Sequence, residues 1–103
     1  MSIKREYDKN GNLIYLKDSF DREEWYEYDN NGKLIHCKEP TGYEVWHEYD
    51  DNGNEIYYKN CYGCEIWREY DNNGKLIHYK ENTGYEFRCE YDDNGKLISR
   101  KVL

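Results

Sequence analysis

Glu6-Tyr7-Asp8-Lys9-Asn10-Gly11 returns as Glu27 to Gly32, Glu48 to Gly53, Glu69 to Gly74 and Glu90 to Gly95, each time 21 residues further on and without insertion. Self-similarity at a fixed period is the signature of a repeat architecture, and it decides the fold before any other feature is read. Counting the unit from its Glu, position 2 is always Tyr, position 9 always Ile (Ile14, Ile35, Ile56, Ile77, Ile98) and position 12 always Lys. Position 16 is Gly42, Gly63 or Gly84, with Asp21 in the first copy, and position 20 is Trp25, Trp46 or Trp67, with Arg88 in the fourth. The outer copies are the irregular ones, as capping units are.

Each Asp-x-Asn-Gly is a hairpin signal, because Asn and Gly tolerate the positive φ that tight turns between twisted antiparallel strands require. The second connection, such as Glu39-Pro40-Thr41-Gly42 or Glu81-Asn82-Thr83-Gly84, reads as a four-residue turn whose Gly reverses the chain again. The expected fold is all-β: tandem 21-residue β-hairpin repeats in one twisted antiparallel meander sheet of about ten strands, with residues 1–103 as a single repeat domain. Recurring Gly and Asn, and the lack of any apolar stripe at helical spacing, disfavour helices.

Register decides the faces, since a one-residue slip exchanges them. With Asn-Gly as a two-residue type I′ turn, position 2 faces position 9, position 21 faces 11 and position 20 faces 12. One face then gathers Tyr43, Val45, Tyr49, Ile56, Tyr58, Ile66, Tyr70, Ile77, Tyr79, Tyr85, Phe87, Tyr91 and Ile98 as the core. The other carries Glu44, Trp46, Glu48 and Lys59, with Trp25 beside Lys38 and Trp67 beside Lys80. A competing register, a type I turn with Gly at a G1 bulge, places Glu55 and the position-12 Lys on the Tyr face instead.

Only 37% of residues are hydrophobic and 36% are charged, so burial must come from thirteen Tyr, three Trp and two Phe rather than from aliphatic side chains. Fifteen Lys and Arg against 22 Asp and Glu give a net charge of −7, which repels nucleic acid and anionic membrane and attracts a basic protein surface. Met1-Ser2-Ile3-Lys4-Arg5 leads into a polar strand with no apolar stretch of signal-peptide length, and the expected location is the cytoplasm.

Residues 42 to 54, Gly-Tyr-Glu-Val-Trp-His-Glu-Tyr-Asp-Asp-Asn-Gly-Asn, resemble the YD repeat of Rhs proteins, and the likeness extends over essentially the whole chain. The resemblance implies strands of a long sheet that spirals into a hollow shell around a toxin, although five copies are too few to close one. The chain is also, more loosely, similar to MORN-type repeats of small bacterial antitoxins. Both likenesses imply a bacterial or phage setting in which such a sheet holds another protein, and neither brings catalytic residues.

Cys61-Tyr62-Gly63-Cys64 has the spacing of half a zinc site, and Cys37 and Cys89 complete a count of four. Each Cys, however, occupies a position that other copies fill with an ordinary residue, so the thiols read as structural and free, and no cofactor is expected. Paired carboxylates such as Asp50 with Asp51, or Asp92 with Asp93, satisfy turn backbone N–H groups without needing calcium. His36 faces Glu27 and His78 faces Glu69 in the first register. With Ser2, Ser19 and Ser99 as the available serine hydroxyls, none repeated near a His, no catalytic residue is assigned. Exposed Trp and Tyr dominate binding hot spots, so the interface candidates are Trp25, Trp46, Trp67, Glu44, Glu48, Glu65, Glu69, Tyr57 and His78. The expected function is a non-enzymatic protein that binds and inhibits a basic partner, such as a toxin or a host defence nuclease in the manner of an anti-CRISPR. The alternatives are a structural or self-assembling module joined through its edge strands, and a carbohydrate-binding module.

Overall fold

The computed structural model describes residues 2–103 and consists of ten strands: β1 (Lys4–Tyr7), β2 (Leu13–Lys17), β3 (Glu23–Tyr28), β4 (Leu34–Lys38), β5 (Glu44–Tyr49), β6 (Glu55–Asn60), β7 (Glu65–Tyr70), β8 (Leu76–Glu81), β9 (Glu86–Tyr91) and β10 (Leu97–Val102). They follow chain order in one antiparallel sheet. The chain forms two compact units, Met1–His47 and Glu48–Leu103.

All nine connections are the same turn. In each, the first residue donates its N–H to the carbonyl four residues on and accepts from the N–H three residues on, as Asp8 does with Asn12 and Gly11, and Glu39 with Tyr43 and Gly42. This is a type I turn closed by a residue at positive φ, a three-residue loop with a G1 bulge. It corrects the expected two-residue type I′ turn at Asn-Gly. Asp at the first position explains the choice: Asp8 Oδ1 accepts from the N–H groups of Asn10 and Asn12, both at 2.9 Å, and Asp50 repeats the pattern with Asn52 and Asn54. Those donors hold the Asp8 and Asp50 carboxyls below the usual range, the bond from Asn12 or Asn54 contributing most.

The loop imposes a parity problem. Partners such as Asp8 and Asn12, or Asp18 and Arg22, are separated by four residues, so opposed residues have the same parity. A repeat of 21 residues is odd, and a given position would therefore change face from copy to copy. One β-bulge in each of the hairpins β1/β2, β3/β4, β7/β8 and β9/β10 cancels the slip. In β1/β2 the pairing runs Tyr7↔Leu13 and then Glu6↔Tyr15, leaving Ile14 as the extra residue. The same break leaves out Ile35, Ile77 and Ile98 in β3/β4, β7/β8 and β9/β10. The intervening pairs β2/β3, β4/β5, β6/β7 and β8/β9 are unbroken.

Both expected registers are thus half realised. Positions 21↔11 and 20↔12 pair as anticipated (Tyr26↔Cys37, Trp25↔Lys38), but position 2 faces the position-8 Leu rather than the position-9 Ile. Glu55 is half-buried and pairs with Arg68 of the Tyr face at 3.7 Å, as in the competing register. The expected core is also corrected. No helix covers either face among the described residues, so burial is shallow: only Phe87 and Cys89 are buried there, while Tyr85 and Ile98 are exposed.

Positive φ at the third loop residue decides which side chain fits. Gly84 has φ +100 and nothing within 4 Å of an added Cβ, whereas Asp21 holds φ 64 with a side chain. Gly84→Ala is therefore expected to lower stability by about 1–2 kcal/mol through backbone strain alone, and Asp21→Gly to raise it by up to about 1 kcal/mol. Urea midpoints at unchanged m value check both.

Candidate binding site

Restored register lets positions 1, 10, 12, 18 and 20 fall into rows on one face within each unit. Glu6, Tyr15, Trp25, Lys38 and Glu44 form one row, set by the pairs Glu6↔Tyr15, Tyr15↔Trp25, Trp25↔Lys38 and Lys38↔Glu44. The Tyr15 and Trp25 rings lie 5.8 Å apart, and the Lys38 ammonium stands 5.7 Å from the Trp25 ring centre. A cation over the Trp25 ring suits the quadrupole of the ring, and such cross-strand pairs hold a thin sheet whose core is shallow.

Position 10 reaches the position-18 Glu of the next strand in four successive copies. Tyr15 donates to Glu23, and Tyr57 Oη to Glu65 Oε2 at 2.6 Å. These bonds, first among the causes, push both phenols up to about 12, so each hydroxyl keeps its proton. In the other two copies the ring is His and bridges two carboxylates. His36 meets Glu44 at 2.7 Å through Nε2 and Glu27 at 2.9 Å through Nδ1, and its ring stacks on Trp46 at 5.2 Å. His78 meets Glu86 at 2.6 Å and Glu69 at 3.0 Å. Desolvation works against the charged His36 ring, but the bonds to Glu44 and Glu27 outweigh it and raise its pKa above 6.5. The His78 bond likewise lowers the Glu86 carboxyl.

The nine interface candidates divide by geometry. Glu48, Tyr57, Glu65 and Trp67 line one open groove of about 440 Å³, together with Ile56, which had been expected on the Tyr face. Trp25 lies in a separate groove of about 250 Å³ with Lys38, Glu23 and Pro40. Trp46 and Glu44 belong with His36, and His78 and Glu69 with Glu86. Cys61 is exposed, Cys37 and Cys64 are half-buried and Cys89 is buried, and no group of three or more His, Cys, Asp or Glu able to hold a metal occurs among the described residues.

The opposite face carries an arrangement the sequence reading missed. Arg68 of β7 stands 5.4 Å from the Tyr79 ring of β8, Tyr79 stacks on Phe87 of β9 at 5.0 Å, and Arg100 of β10 covers Phe87 at 4.0 Å. Arg100 also donates to the Tyr85 hydroxyl at 2.8 Å. For the Glu bridges the missed signal was the eight-residue spacing from position 10 to position 18, seen in Tyr15/Glu23, His36/Glu44, Tyr57/Glu65 and His78/Glu86.

A raised His pKa fixes the sign of a pH effect. The Glu27–His36–Glu44 bridge stabilises the fold fully below about pH 6.5 and loses that contribution as pH rises through the higher folded value. Because the Glu27 side chain is 66% exposed and screened, about 0.5–1 kcal/mol is at stake. His36→Gln is expected to lower the urea midpoint at about pH 6 and to leave it near that of the unaltered chain at about pH 9. NMR titration should place His36 above 6.5.

The fold has counterparts in known proteins. The sequence matches the Teneurin YD-shell family model over residues 1–103. Comparison with curated proteins finds no match. Similar solved structures include the pore form of a Photorhabdus luminescens Tc holotoxin with a mutated TccC3 (TM-score 0.71, 19% identity). Crystal structures of TcdB2-TccC3-TEV (0.70, 19%) and TcdB2-TccC3-Cdc42 (0.71, 18%) match in the same way. Each alignment covers 97% of this chain and 5% of the other, so the chain spans about one-twentieth of their length. At such identity the likeness is one of fold, and the match along the full sequence carries the assignment: this chain belongs to the Teneurin YD-shell family.

Proposed function

We propose that the chain is a non-enzymatic structural module, a stretch of YD-shell wall whose edges β1 and β10 take up further strands of the same kind. The observation that carries this reading is the restored register. With one turn type throughout and one bulge in each of four hairpins, copies within each unit add without exchanging faces, which a wall requires and an inhibitor of fixed outline does not. Family membership supports it, as does the likeness of fold to a short stretch of far longer chains. Inhibition of a toxin or defence nuclease, the expectation drawn from acidity and size, finds no support in these likenesses.

Continuing the β2/β3 register across the two edges would set Ser99 opposite Lys4 and Arg100 opposite Ile3, and would bring Arg100 and Lys101 close to Lys4 and Arg5. Like charges on facing edges hold sheets apart until salt screens them. Sedimentation velocity should therefore show association that grows with protein concentration and strengthens with ionic strength, and Lys4→Glu should promote it at low salt. A compact monomer at every concentration and salt would overturn the proposal.

A further inference from the structure

Rings and cations are matched across this chain. Arg22 covers Phe20 at 5.2 Å, Lys38 covers Trp25, Arg68 covers Tyr79 and Arg100 covers Phe87. Trp67 departs from the pattern. It pairs in register with Lys80, yet among the described residues no ammonium or guanidinium stands over its ring, which is 37% exposed. Its ring contact is Tyr57, 5.7 Å away and tilted by 46°. The carboxylates of Glu48 and Glu65 line the same groove, and Ile56 closes its floor with apolar surface.

We propose that this groove binds an arginine side chain of a basic protein partner, its guanidinium lying on the Trp67 indole and donating to Glu48 and Glu65. Four features of the groove and of the ligand select arginine. Two carboxylates and two electron-rich ring faces make a field for a cation, in a chain whose net charge is −7. The Tyr57 hydroxyl is committed to Glu65 at 2.6 Å and holds that carboxylate in place, so the carboxylate oxygens of the groove are acceptors and the Trp67 Nε1–H is its remaining side-chain donor. A site dominated by carboxylate acceptors suits a group with five donors and no acceptor better than a saccharide hydroxyl, which needs both. Finally, a guanidinium is planar, stacks on an indole and pairs with carboxylates in a fork, none of which an ammonium does as well. The inference stands apart from the wall reading, since it concerns a face and not the edges.

The test is an NMR titration of the full chain with the peptide acetyl-Gly-Arg-Gly-amide at low salt, following the indole Nε1–H resonances of the three tryptophans. A saturable shift at Trp67, well beyond those at Trp25 and Trp46, is expected. The citrulline analogue, equal in shape but neutral, should bind about tenfold more weakly, matching the cation–π and ion-pair contribution. Glu48→Gln should weaken the arginine peptide about threefold, as loss of a partly exposed charge does. Trp67→Leu should abolish the saturable shift of the Tyr57 and Glu65 backbone amides, with the Trp25 and Trp46 resonances unmoved as the sign of an intact fold. Equal binding of the citrulline peptide, equal shifts at all three indoles, or no saturable shift would each overturn the proposal. So would saturation of Trp67 by maltohexaose in place of the arginine peptide, which would make the groove a saccharide site.

Discussion

An odd repeat length joined to loops that preserve parity is the constraint on which this structure depends. Twenty-one residues and two three-residue loops leave one residue too many for faces to stay in phase, and the bulge at the position-9 Ile absorbs it. Without the bulge Trp25 would fall opposite Cys37, mixing ring rows with the Tyr face in alternate copies. The backbone departs from the ladder in the same way at Ile14, Ile35, Ile77 and Ile98, and Ile holds this position in all five copies. A β-branched residue suits the extended backbone on either side of the break.

Constant faces allow the sheet to do without a conventional core. With only Phe87 and Cys89 buried among the described residues, stability is distributed over many cross-strand contacts, each worth roughly 0.2–1 kcal/mol. Stacked rings, cations over rings and hydroxyl-to-carboxylate bonds recur along the strands, so each repeat adds much the same increment. The high charge content, which in an ordinary domain would argue for disorder, is what closes these rows at their ends. Glu44 beyond Lys38 and Glu86 beyond His78 are examples.

Much of this was legible in the sequence because repetition multiplies weak signals. Period, strand number, order and the 21↔11 and 20↔12 pairings follow from where Asn-Gly and Tyr recur. The turn type was not legible from Asn-Gly, since that pair fits a two-residue and a three-residue loop equally. The Asp two residues earlier, by bonding the N–H groups two and four residues on, selects the longer loop. Nor was the bulge legible residue by residue, although the odd period contains it once the loop is known. Of the interface candidates, Glu48, Tyr57, Glu65 and Trp67 converge on one groove, while Trp46, Glu44, His78 and Glu69 are engaged in contacts of their own repeats. Sequence spacing places residues on a shared face but does not say which of them a neighbour already occupies.

That distinction between shared position and shared occupancy is what gives a uniform repeat local identity. Position 10 alternates Tyr15, His36, Tyr57 and His78, and the two residue types use the same geometry differently. A phenol raised to about 12 has one proton to give and engages one carboxylate, Glu65 in the case of Tyr57. An imidazole has two nitrogens and draws in both flanking carboxylates, as His36 does with Glu27 and Glu44. In a His copy both acids are consumed internally. In the Tyr57 copy Glu48 stays exposed beside an uncovered indole, so the exchange of one ring type for another determines whether a repeat closes on itself or faces outward.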